Sequence, residues 1–105
     1  MAGTAYRYVF AADVDVDAVE ASLLMAILAA EALYSPAQVR LDAGHYFDVA
    51  SRTCVITADS EVGRDVARLF VSFLEREFGP SAFSVERVSR PSAASLSAAT
   101  EGETP

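Results

Sequence analysis

"QVRLDAGHYFDVASRTCVITA", residues 38–58, is the stretch on which the fold turns. If Ala50 and Ser51 form a turn, Phe47 lies opposite Cys54 and His45 opposite Ile56. Val39, Leu41, His45, Phe47, Cys54 and Ile56 then share one face, and Arg40, Asp42, Tyr46, Asp48, Thr53, Val55 and Thr57 share the other. One apolar and one mostly polar face suit a sheet buried on a single side, and a slip of one residue would mix them. The stretch therefore reads as an antiparallel hairpin, although Ala-Ser is not the Asn-Gly type of turn.

Working outward, "TAYRYVF" (residues 4–10) alternates, with Tyr6, Tyr8 and Phe10 on one side and Arg7 and Val9 on the other. Period two with aromatics predicts a strand. In the following "DVDAVEASLLMAILAAEALYS", Val19, Leu23, Ile27, Ala30 and Tyr34 recur at helical spacing, and Pro36 stops the run. Beyond the hairpin, "DSEVGRDVARLFVSFLEREFGP" (residues 59–80) has a capping Asp59 or Ser60, a stripe of Val62, Val66, Leu69, Phe70 and Phe73, and Gly79-Pro80 as its stop. "AFSVERV" (residues 82–88) is a last strand, with Phe83 and Val85 on one side and Ser84 and Glu86 on the other. The predicted order is strand, helix, strand, strand, helix, strand. That is the split βαβ arrangement of a ferredoxin-like α+β sandwich, a four-stranded antiparallel sheet with two helices on one face. Residues 1–90 are expected to form this domain. Residues 91–105, Ser/Ala-rich and acidic, hold too little to bury and are expected to be a disordered tail.

Composition narrows the function. The 105-residue chain carries eight basic and fifteen acidic residues, for a net charge of −7. Phosphate backbones and anionic membrane surfaces are repelled by such a chain, so neither nucleic acid nor membrane is an expected partner. An RNA-recognition sheet also needs stacking aromatics on its central strands, where Val9 and Val55 stand. The single cysteine, Cys54, makes no internal disulfide and fits a reducing cytoplasm. The opening "MAGTAYRYVF" has no basic segment followed by an apolar core, so no signal peptide is expected. The apolar run "ASLLMAILAA", residues 21–30, is too short to span a bilayer.

Few residues suggest chemistry. Asp13, Asp15 and Asp17 have the spacing that opens a calcium loop, but the required sixth and twelfth positions are Ala18 and Leu24. Asp17 with Glu20 reads instead as a helix cap. His45 and Cys54 are too few to close a zinc site, and a thiol on an apolar face is usually inert. Asp42 and Asp48 read as parts of a solvated sheet face. Gly63 lies near a helix start, but Asp59, Glu61 and Asp65 beside it would repel an anion, so close packing explains it better than a phosphate cradle. No catalytic residue, metal or cofactor is expected.

The anomaly is the first helix. Val19, Leu23, Ala26, Ile27, Ala30 and Leu33 form its expected core face, yet Ala21, Leu24, Met25, Leu28 and Ala32 occupy the opposite side, where water should be. A helix apolar all round is normally buried all round. The second long helix adds Ala67, Val71, Leu74 and Phe78 to its own stripe. A small cytoplasmic interaction or assembly module is therefore expected, more a binder than an enzyme. It would meet protein, either itself as a homo-oligomer or another chain, through Leu24, Met25, Leu28, Val71 and Leu74. The alternative is a small-molecule-binding protein or enzyme whose pocket is lined by Tyr6, Tyr8, His45, Phe47 and Cys54. The tyrosine hydroxyls would need partners there.

Overall fold

Tyr6, Tyr8 and Phe10 do project from one strand, and everything else is assembled around it. The computed structural model describes residues 3–90. The elements are β1 (Gly3–Phe10), α1 (Val16–Leu33), α2 (Pro36–Asp42), β2 (His45–Asp48), β3 (Thr53–Thr57), α3 (Glu61–Phe78), a short 3-10 turn (Pro80–Ala82) and β4 (Phe83–Arg90). They make an α+β domain with a four-stranded antiparallel sheet in the order β2-β3-β1-β4 and three α-helices. The tail expected at residues 91–105 lies outside the described residues.

The hairpin register is the one expected, with His45 opposite Ile56 and Phe47 opposite Cys54. Its connection is longer than Ala50-Ser51. Asp48 Oδ1 accepts from the backbone N–H groups of Ala50 (3.1 Å) and Ser51 (3.4 Å), and Arg52 closes the loop with φ +57°. The Arg52 guanidinium donates to the carbonyls of Ala11 and Val14, which ties this loop to the entrance of α1.

The first half of the expected strand is a correction. Residues 38–42 belong to helix α2, so β2 keeps only His45–Asp48 and the helix count is three, not two. Ser35 caps α2 by accepting from the Gln38 N–H at 3.1 Å, and Pro36 stands in the first turn, where its missing N–H costs nothing. Val39 is buried, whereas Leu41 is 83% exposed. Their alternation was therefore not that of a strand face.

Long helices α1 and α3 pack against each other and against one side of the sheet. Tyr8, Phe10, Cys54 and Ile56 meet Val19, Leu23, Ala26 and Ala30 of α1 and Val62, Val66, Phe70 and Leu74 of α3. The α1 cap is Asp15, accepting from the Asp17 N–H at 3.0 Å, rather than Asp17. Ser60 caps α3 by accepting from the Gly63 N–H at 3.0 Å, and Gly79 follows its last turn. Leu33, expected in the core, is 72% exposed, because α1 ends there and Tyr34 packs inward instead. The opposite face of the sheet carries the Arg7–Glu86 ion pair (3.0 Å) and the exposed Tyr46.

Candidate functional site

Of the five residues expected to line a single pocket, Tyr6 and Tyr8 border one groove and His45 another, while Phe47 and Cys54 border neither. Tyr8 and Cys54 are sealed in the core, Phe47 is half-buried and stacks on Phe10 at 5.9 Å, and His45 is exposed at the start of the edge strand β2. Tyr6 lies two strands away from His45, on β1. A buried residue pattern in a strand fills a core as readily as it lines a cavity, and here the helices fill it.

Burial also fixes the chemistry of two groups. It pushes the Cys54 thiol from 9.0 up to about 12. The same burial raises Tyr8, whose hydroxyl donates to the Ala67 carbonyl at 3.4 Å. A thiol raised by burial carries far less thiolate in mildly alkaline buffer than an ordinary cysteine does. Alkylation by iodoacetamide should therefore be slow in the native protein and fast once guanidinium unfolds it. Equal rates in both states would place the thiol at the surface. Among the described residues, no three His, Cys, Asp or Glu side chains are grouped as metal ligands.

The interface residues fall into two groups. Leu24, Met25 and Leu28 are 56%, 55% and 63% exposed on the outer side of α1. Val71 is half-buried and Leu74 is fully buried, so Leu74 is a core residue and not a surface one. The second long helix is thus amphipathic in the ordinary way, and the surplus apolar surface belongs to α1. No helix among the described residues is long and apolar enough to cross a membrane.

Two surface grooves accompany this apolar face. One, of about 350 Å³, lies where α1, α2 and β2 meet and is lined in part by Ile27, Glu31, Val39, Arg40 and His45. The other, of about 380 Å³, runs between α3 and the β1–β4 pair, with Tyr6, Arg64, Arg68, Val71 and Val85 in its walls. The second was not foreseen. Its signal was present in the four-residue spacing of Arg64 and Arg68 and in the alternation of Val85 and Arg87. Only the β1–β4 register, which sets Tyr6 beside Arg87 and Tyr8 beside Val85, brings these together.

At the junction of the two long helices, the Tyr34 hydroxyl donates to Asp65 and, at 3.5 Å, to Glu61. Chiefly the bond to Asp65 holds this phenol up to about 12. It is a clasp between the end of α1 and the start of α3.

Fold and surface together define a small α+β domain with one uncovered apolar helix. Comparison with protein-family models, curated proteins and solved structures finds no match to this chain.

Proposed function

We propose that this protein is a small assembly module that pairs with a second copy of itself through the outer face of α1. The carrying observation is the exposure of Leu24, Met25 and Leu28 on a side that holds no charged residue between Glu20 and Glu31. Exposed apolar patches of this kind mark interfaces. The occupant is argued from charge. Two chains of net charge −7 repel one another wherever their acidic surfaces approach, and the uncharged face of α1 is where that repulsion is least. At 18 residues, α1 is about 27 Å long, which allows two such faces to be laid side by side.

The architecture supporting this reading is a ferredoxin-like βαββαβ plan with α2 as an addition before β2. The strand order β2-β3-β1-β4, its antiparallel pairs and a long helix after β1 and after β3 all favour that assignment. The lone, inert thiol suits a reducing, cytoplasmic setting.

Light scattering on a size-exclusion column, over a range of concentrations, tests the proposal. The native chain should elute as a multiple of 11.2 kDa. The double variant Leu24→Glu, Leu28→Glu should keep its circular dichroism and lose mass. A monomeric native chain overturns self-assembly, and so does a double variant of unchanged mass.

A further inference from the structure

We infer that the groove between α3 and the β1–β4 pair is a binding site for a small organic carboxylate with a flat apolar body. The groove exists because the helix layer does not reach across β4. Val85 lies on the helix-facing side of the sheet, beside Tyr8, yet it is 41% exposed. A valine in that position would normally be covered.

The charge in this groove runs against that of the chain. No carboxylate lines it, although acids outnumber bases by fifteen to eight overall. Arg64 and Arg68, four residues apart on α3, both line the groove. Arg64 is half-buried and donates one nitrogen to the Ala58 carbonyl at 3.1 Å, which holds its fork in place. Asp65 engages one nitrogen of Arg68 at 3.2 Å and is itself satisfied by Tyr34, so the remaining Arg68 donors are available. A third guanidinium, that of Arg87, stands 5.9 Å from the centroid of the Tyr6 ring, which lines the groove.

The remaining walls are apolar: the Tyr6 ring, Val71 and Val85. Guanidinium forks recognise carboxylates through paired N–H donors, and an aromatic ring with two valines receives a flat apolar group. A bare inorganic anion would leave those walls unused, and a neutral aromatic would leave the arginines unused. The volume of about 380 Å³ suits a ligand of one or two rings.

Titration of the isotope-labelled full chain with phenylacetate, followed by amide and side-chain NMR shifts, tests the inference. Saturable shifts are expected at Tyr6, Arg64, Val71, Val85 and Arg87, with a dissociation constant on the order of 1 mM for so small a probe. Phenylacetamide and sulfate should each bind about tenfold more weakly or worse. The exposed-residue variants Arg68→Gln and Arg87→Gln should each weaken phenylacetate about tenfold while the rest of the spectrum keeps its native dispersion. Val85→Glu, which sets a carboxylate in the groove, should abolish binding. Absence of saturable shifts overturns the inference. Equal binding of phenylacetamide or sulfate, shifts centred elsewhere, or indifference to all three variants would overturn it equally.

Discussion

Replacing Phe70 with alanine is expected to destabilise the domain by about 3–5 kcal/mol, the usual range for removing a fully buried aromatic. Phe70 has no exposure and sits at the centre of the contact between α3 and the sheet. Its ring meets Tyr8 edge-on at 4.9 Å and Phe10 edge-on at 6.3 Å. Neither neighbour is free to swing into the space. Tyr8 is anchored by its hydroxyl on the Ala67 carbonyl, and Phe10 is stacked on Phe47. The cavity would therefore persist, and persistence is what raises the cost above simple transfer of the ring. Against a total of roughly 5–15 kcal/mol for a domain of this kind, the urea midpoint should fall by about a fifth or more. Phe70→Leu, which keeps most of the volume, should cost under about 1.5 kcal/mol. An alanine variant within about 1 kcal/mol of the native chain would show that the aromatic cluster is not closed.

The parts of the fold that could be read in advance are those in which periodicity and burial point the same way. Tyr6, Tyr8 and Phe10 on β1, and Phe47, Cys54 and Ile56 across the hairpin, alternate because one side of the sheet is buried, and the pairs fell where that alternation put them. Helix α2 was missed for a physical reason. In seven residues, one buried position, Val39, is enough to seat a helix, and Val39 with Leu41 satisfies a two-residue period by chance. The signals that favour the helix, Ser35 before Pro36, are local capping signals, and Pro36 by itself equally marks the end of α1.

Leu74 and Leu33 were misplaced for a related reason. In α1 and α3 the apolar residues are so many that the sequence alone does not separate buried from exposed ones near the edge of a stripe. Contact with Tyr34 and with the sheet decides it. The α3–β4 groove lay further out of reach, since it depends on how far the helix layer extends over the edge strand. None of its lining residues belongs to α1, so pairing through Leu24, Met25 and Leu28 would leave it open. A ligand in the groove and a second copy on α1 could then be held at once.

Gly63→Ala tests how closely α3 is seated on the sheet, and two effects of opposite sign compete in it. In an exposed helix, alanine is favoured over glycine by about 1 kcal/mol. Here a Cβ on residue 63 would lie 2.3 Å from the carbonyl oxygen of Thr57 and 3.3 Å from Ser60 Oγ. The Thr57 carbonyl is backbone and cannot turn aside. The Thr57 N–H donates to the Gly44 carbonyl at 2.9 Å, and the next N–H, of Ala58, donates to the Thr4 carbonyl at 2.8 Å. Ser60 is fixed as well, because its hydroxyl donates to the Asp42 carbonyl at 2.6 Å while accepting from the Gly63 N–H. The start of α3 would have to lift, straining the cap and the Arg64–Ala58 bond with it. Overpacking against a rigid neighbour costs 1–3 kcal/mol and occasionally more, and a lost cap about 1 kcal/mol. The clash therefore outweighs the propensity gain, and a net loss of about 1–3 kcal/mol is expected in urea denaturation. Ser60→Ala alone, at about 1 kcal/mol, separates the loss of the cap from the clash. A neutral or stabilised Gly63→Ala protein would mean that α3 stands further from Thr57, and that this glycine serves no close approach.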